Sequence, residues 1–552
     1  MAYFCENCGC KLTVNEGFCE NCGHPVSVGP VKAERMTSLF SSLTPTDAEE
    51  VTIAASEDKL PSAQDVLYLF SSKDWDKRWK QAEKKCGAEK LGIVLINSCN
   101  YKYDKELGAF ASALREYVSY RAKAGVYYYV LDISTEAVLN NRNPDCTHVV
   151  EVLKKVYRCA KPKYLLIVGD SRAVGAARWE NDARDTDKFV DSDLPYLTLD
   201  MHSPWSGRQF CFEKYVRVGR IPARIESGYG EAVRYFSNAI ALNMNGARGV
   251  PHPFALSAQV WQKTSENVYR NMSGKVHSSP PRLVNDFSNG GLRAYSDGSD
   301  PNILYVNLHG SSQTNVWYGQ DAHNNYPDAF SPNCLPAGLS GYMVGVEACY
   351  GAQPNSDNGV LKRALQNGCF CFLGSTQIAY GAVNGNMTCA DVVVGEYIKY
   401  VASGHSAGDA FIIGLNKLAK GDMSDTTIKT IAEFALYGDP SAAFAFRRKE
   451  GEKSLPEEQA PKFDKGLHIP MPDVRNAVKL KLTEVNARIA ETVASFVNCN
   501  YGDFSHVVPE YCEVKGYGGY QAMYLKDDGN FQSVLKVYFD KNGTVKQVCV
   551  SK

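Results

Sequence analysis

Residues 303–310 read ILYVNLHG and residues 341–351 read GYMVGVEACYG. Each stretch opens on a run of β-branched, aromatic and aliphatic residues, the composition of a strand buried on both faces, as in a parallel sheet. Each run stops at a reactive side chain followed by turn chemistry: His309 before Gly310, and Cys349 before Tyr350 and Gly351. Ligands of open α/β sheets bind outside the carboxyl ends of the strands. The two stretches therefore predict a histidine and a cysteine facing each other across one crevice.

Nucleophilic acyl transfer is the chemistry that fits such a pair. A free thiol has a pKa of about 8.5, so little of it is thiolate at neutral pH. An imidazole beside it takes the proton and returns it to the leaving amine. The N–H groups of Gly310 and Cys349 are candidate donors to the oxyanion that forms. With 18 Cys and 10 His in the chain, the pair alone also fits coincidence, since a Cys after an apolar run is often a small core hydrophobe. The sequence around the pair decides.

Residues 164–170 read YLLIVGD, 215–224 YVRVGRIPAR, 372–381 FLGSTQIAYG and 434–440 FALYGDP. With His309-Gly310 and Glu347-Ala348-Cys349 in that chain order, the pattern resembles the caspase-like clan of cysteine peptidases, and within it the gingipain-like family, over roughly residues 90–447. The resemblance implies a caspase-like α/β fold, a mainly parallel doubly wound sheet flanked by helices. It also implies a cysteine endopeptidase with Cys349 as nucleophile, His309 as acid and base, and Gly310 in the oxyanion hole. No cofactor is expected for catalysis. Clostripain-like enzymes carry Asp where Glu347 stands and cleave after basic residues; legumain-like enzymes carry Glu and prefer Asn. In strand geometry residues i and i+2 share a face, which puts Glu347 on the side of Cys349. The expected preference is Arg or Lys before the scissile bond, with Asn as runner-up; an internal tie of Glu347 to Arg220 or Arg224 is the alternative. The loop after Asp170 is expected at the active-site edge, with Asp191 and Asp193 lining the pocket or lying in a solvated loop. Ser375 and Thr376 either border the pocket or serve an ordinary turn. The rival to the peptidase reading is a non-catalytic zinc-ribbon adaptor that binds peptides or partner proteins on the same scaffold.

At 552 residues the chain suggests several domains. Residues 1–27 carry two CxxCG knuckles, Cys5/Cys8 and Cys19/Cys22, the spacing of a four-thiolate structural zinc ribbon, with Cys10 and His24 as spare donors. A linker and helical extension follow (28–88), then the peptidase domain (89–447), a charged linker (448–472) and an α+β domain (473–552) whose role the sequence does not assign. The linker offers Arg447, Arg448, Lys449 and Lys453 as self-cleavage sites. Within the central region strands at 92–97, 126–133 and 164–170 alternate with helices, as in βαβ units. Helices are expected at 389–420, at 426–437 and at 474–496, and a surface excursion at 262–300. The net charge of −1 gives no bulk attraction to nucleic acid, and no apolar run is long enough to span a membrane. The opening MAYFCENCGC lacks a basic region followed by an apolar one, so a cytoplasmic location and free thiols are expected. Partners are expected to be a protein or peptide substrate and a protein bound through the ribbon or the last domain.

Overall fold

The computed structural model describes most of residues 75–446 and of 487–552, with short strands at Tyr3–Phe4, Lys11–Leu12, Leu467–Ile469 and Val478–Leu480 beside them. The zinc-knuckle residues Cys5, Cys8, Cys19 and Cys22 lie outside the described residues, as does the basic linker 447–453.

Apolar runs build the sheet. The first half holds β1 (Leu91–Ile96), β2 (Tyr127–Asp132), β3 (Tyr164–Val168) and β4 (Arg217–Ile221). The second holds β5 (Pro253–Ala258), β6 (Val276–Ser279), β7 (Ile303–Asn307), β8 (Tyr342–Val346) and β9 (Cys369–Ser375). After the two-residue strand β10 (Tyr380–Gly381), β11 (Phe434–Gly438) joins the halves into ten strands in the order β6-β5-β7-β8-β9-β11-β4-β3-β1-β2. Pairing is parallel within each half, and β9 and β11 run antiparallel, so the two halves point in opposite directions. β7, β8, β9 and β11 are buried along their whole length, which is why their sequences show no alternation.

The junction is close-packed. Gly438 has φ 110°, and a Cβ there would stand 2.1 Å from the Phe370 carbonyl oxygen. The next residue, Asp439, is buried, and its carboxylate accepts from Tyr117 and Tyr128 (2.5 Å each) and pairs with Arg121 at 3.0 Å. The YGDP stretch thus anchors the centre of the sheet.

Three expectations are corrected here. The helix expected over 426–437 is a shorter one, Asp425–Glu433, followed directly by β11. A short apolar run such as FALYG fits a buried helix end and a buried strand equally by periodicity. The excursion at 262–300 contributes the helix Gln262–Tyr269 and the edge strand β6. The helix expected over 474–496 is displaced: Val478–Leu480 is a strand and the helix runs Ala487–Asn500.

The remaining helices that matter for the site follow β10: α1 (Cys389–Ala402), α2 (Ala407–Ala419) and α3 (Asp425–Glu433). In the last domain α4 (Ala487–Asn500) packs Val493 and Val497 on an antiparallel sheet of β12 (Val478–Leu480), β13 (Glu510–Val514), β14 (Gly519–Asp527), β15 (Gln532–Asp540) and β16 (Val545–Ser551). That sheet does not end at β16. It continues into β10 of the larger domain, with Tyr380 opposite Ser551 and Gly381 opposite Val550. No helix among the described residues is long and apolar enough to cross a membrane.

Candidate active site

His309 follows β7 and is clipped to Tyr318 by a pair of backbone hydrogen bonds, His309 N–H to Tyr318 (2.9 Å) and Tyr318 N–H to His309 (2.8 Å). Its ring lies 4.3 Å from that of Trp261 and 5.4 Å from that of Tyr326, centroid to centroid. Nε2 is 2.8 Å from Gln320 Oε1. The amide nitrogen of Gln320 donates to Asn324 (3.0 Å) and Tyr326 (3.3 Å), and Tyr326 donates on to Asp503 (3.1 Å). This chain turns the glutamine oxygen toward the imidazole, so Nε2 carries the hydrogen and Nδ1 the lone pair. Burial pushes the imidazole down to about 3, with Lys552 and Lys526 acting the same way and Gln320 and Asp503 opposing; the ring is neutral.

Cys349 lies beyond β8 in a turn tied to the next strand. Tyr350, at φ 53°, donates its N–H to Gln377 (2.8 Å), and Gly351 donates to Ala348 (3.0 Å). The Tyr350 hydroxyl donates to Asp187 (2.5 Å), whose other oxygen accepts from the Ile378 N–H (2.8 Å) and pairs with Lys429 (2.6 Å). The thiol is 3.5 Å from the Ala379 carbonyl oxygen. Burial raises it well above the ordinary thiol range, so it too is neutral. Only 3% of Cys349 and 2% of His309 is exposed, which means something covers them.

The cover is the end of β16 and the residue after it. The N–H groups of Cys349 (3.0 Å) and Gly310 (3.3 Å) both point at the carbonyl oxygen of Lys552, and the Lys552 N–H donates to Ala379 (2.9 Å). Gly310 sits so close to the cysteine that a Cβ would lie 1.7 Å from the Cys349 carbonyl oxygen. Two donors converging on one carbonyl oxygen beside a thiol are the arrangement that stabilises a tetrahedral oxyanion.

The Lys552 side chain runs into a closed pocket. Its ammonium is 3.0 Å from Asp391 Oδ1, 3.4 Å from Glu347 Oε2 and 3.5 Å from the Ala382 carbonyl oxygen, and it lies 4.4 Å from the centre of the Trp261 ring. Both carboxylates are held from behind. Glu347 accepts from the Tyr305 hydroxyl at 2.7 Å. Asp391 Oδ2 accepts from the N–H groups of Ala382 (2.6 Å) and Thr388 (3.1 Å), as the far end of the capping box of α1. Burial and the neighbouring Asp391 raise the Glu347 carboxyl, and Lys552 opposes.

Against known proteins, a family model described as Peptidase family C25 matches residues 103–445, more than half of the chain. The chain belongs to peptidase family C25. It is a cysteine-type endopeptidase, which displaces the adaptor alternative. No curated protein matches. Among solved structures it is similar to the Arg-specific cysteine proteinase gingipain R, at 11% identity over 84% of this chain and 91% of that one, with a TM-score of 0.44. The complex of Porphyromonas gingivalis RgpB pro- and mature domains matches at 11% identity, 84% and 93% coverage and a TM-score of 0.45. A structure described as a protease matches at 14% identity, 84% and 90% coverage and a TM-score of 0.43.

In this C25 peptidase His309, Gly310, Cys349 and Glu347 come together around Lys552, and Glu347 is tied to neither Arg220 nor Arg224. Asp193 is a correction: both of its oxygens are taken by Arg220, at 2.8 and 2.6 Å, so it is structural. The loop carrying it does reach the catalytic edge, through Asp185 and Asp187 on Lys429. Ser375 and Thr376 are likewise turned inward. Ser375 donates to Gln377, and Thr376 donates to Asp191 and Glu433. The edge that takes an extended chain is the next stretch, Ala379–Gly381. Sequence reasoning missed Asp391, Trp261 and Gln320. The only signal was Thr388 three residues before Asp391, which reads as a helix start.

Proposed function

We propose that this endopeptidase hydrolyses bonds after a basic residue by a Cys349–His309 dyad. An extended substrate pairs with Ala379–Gly381, and its cationic side chain enters the pocket of Glu347, Asp391 and Trp261. The Cys349 proton passes to Nδ1 of His309 as sulfur bonds to the carbonyl carbon, and the oxyanion rests on the N–H groups of Gly310 and Cys349. The imidazolium returns the proton to the leaving amine, the C–N bond breaks and a thioester remains. Water then attacks the thioester, losing its proton to the imidazole; the C–S bond breaks and the thiol is restored. The observation that carries the reading is the pair of backbone donors on the carbonyl oxygen of a lysine whose ammonium meets two carboxylates. A positional-scanning peptide library tests it. Cleavage after Lys or Arg, lost in Cys349→Ala and redirected or weakened in Glu347→Gln, is expected; preference for Asn or Asp, or a preference unchanged in Glu347→Gln, removes Glu347 from the pocket. The spacing of Cys5, Cys8, Cys19 and Cys22 supports a structural zinc ribbon, and the many free cysteines suit a reducing compartment such as the cytoplasm.

A further inference from the structure

Among its described residues the last domain shows no catalytic feature of its own, yet it supplies the residues that cover the site. Residues 545–552 meet the peptidase domain in several independent ways that substrate would also use. β16 extends the sheet through Tyr380 and Gly381, the edge-strand addition by which many proteins take an extended peptide. The carbonyl of Lys552 fills both donors of the oxyanion hole. Its side chain passes through a slot whose one wall is Gly381, where a Cβ would stand 2.0 Å from Lys552 Cε. The face of Trp261 lines the slot as well. We propose that residues 545–552 are a tethered, substrate-like occupant of this chain's own groove, and that the pocket they fill selects lysine.

The selection follows from counting donors and acceptors. An ammonium offers three donors on a point charge, and the pocket presents Asp391 Oδ1, Glu347 Oε2 and the Ala382 carbonyl around it. A guanidinium is planar and wider, with five donors in a fixed fork, and suits bidentate carboxylates in one plane. Here the two carboxylates come from the residue just after β8 and from the first turn of α1, and they converge on one point.

Docking of the occupant is secured away from the site. Asp425, at the start of α3, accepts from the Tyr538 hydroxyl and from Gln521 (3.1 and 3.0 Å) and pairs with Lys536 at 3.4 Å. Tyr538, Gln521 and Lys536 belong to β14 and β15. Asp503 of the same domain also ends the hydrogen-bond chain that orients His309, and Lys526 holds it at 2.8 Å. The domain therefore covers the thiol while leaving the histidine aligned.

This proposal rests on the peptidase reading above, and two readouts separate them: hydrolysis of matched fluorogenic lysyl and arginyl peptides, and alkylation of Cys349 by iodoacetamide followed by peptide mapping, which needs no turnover. Both are measured on the full chain, on Lys552→Ala and on Asp425→Ala, the last serving should loss of the lysine disturb folding. Each substitution is expected to speed Cys349 alkylation tenfold or more and to raise kcat/KM for the lysyl peptide by a similar factor. The synthetic peptide VKQVCVSK should compete with substrate in Lys552→Ala, at least tenfold better than the same peptide ending in Arg. In that background Asp391→Asn should raise KM for lysyl peptides tenfold. Equal alkylation and equal hydrolysis in all three proteins, or failure of VKQVCVSK to compete, overturns the occupancy; equal use of Arg and Lys overturns the lysine pocket. Faster alkylation without peptide hydrolysis in any variant would leave the occupancy standing and sink the peptidase reading.

Discussion

In the proposed mechanism Cys349 and His309 share one proton, so removing either would end the same step. Cys349→Ala is expected to abolish hydrolysis and His309→Ala to cost several orders of magnitude, with the double variant little worse than either single one; steady-state rates of the three decide, and additive losses would argue against a dyad. Gly310→Ala is a separate test at this scale. A Cβ there cannot coexist with the Cys349 carbonyl 1.7 Å away, so the second oxyanion donor should be displaced, lowering kcat by about a hundredfold while lysyl substrates still bind. The neutral, buried imidazole also couples folding to pH. Its folded pKa of about 3 lies below the ordinary value, so between about pH 6.5 and about pH 3 the unfolded chain binds the extra proton and stability falls as pH falls. Denaturant titrations at pH 7 and pH 4.5 should show the wild type losing more stability than His309→Asn, by about 1.4 kcal/mol per pH unit. An identical pH dependence would contradict this. His309, Gly310, Cys349 and Glu347 were legible because strand ends and a period of two place them. Asp391 was not, because its local sequence is fully explained by helix capping. Asp193 misled because the right loop presents other aspartates, Asp185 and Asp187, to the site.

At the scale of elements, the antiparallel β11 was hidden because FALYG carries no periodicity that separates a strand from a helix end, and only its place between β9 and β4 settles the matter. The strand β10, two residues long, could not be read at all: it exists because β16 pairs with it. Gly381 is the sharper consequence. In Gly381→Ala the new methyl would occupy the path of the lysine side chain, so lysyl substrates should lose binding, read as KM, by more than tenfold. A peptide with alanine before the scissile bond should be affected less. The proposed zinc ribbon has its own test. The four knuckle thiolates should hold about one zinc per chain, lost in Cys22→Ser, with peptide hydrolysis retained; metal analysis with parallel assays checks this, and loss of the peptidase fold with the zinc would show the ribbon to be more than peripheral.

For the whole molecule, composition gave no hint of self-occupancy. The net charge of −1 hides a paired arrangement in which two buried carboxylates of one domain meet a lysine carried by another. The last domain looked unassigned because its function lies in where its final strand docks, and docking joins residues far apart in sequence. The claim on which all of this depends is that Cys349 is the nucleophile. The direct measurement is peptide mapping after reaction with a lysyl acyloxymethyl ketone, carried out on the full chain, Lys552→Ala, Cys349→Ala and His309→Ala. The account expects a single adduct on the Cys349 sulfur, formed faster in Lys552→Ala, absent in Cys349→Ala and strongly slowed in His309→Ala. An adduct on another cysteine with Cys349 untouched, or hydrolysis that survives in Cys349→Ala, would contradict it.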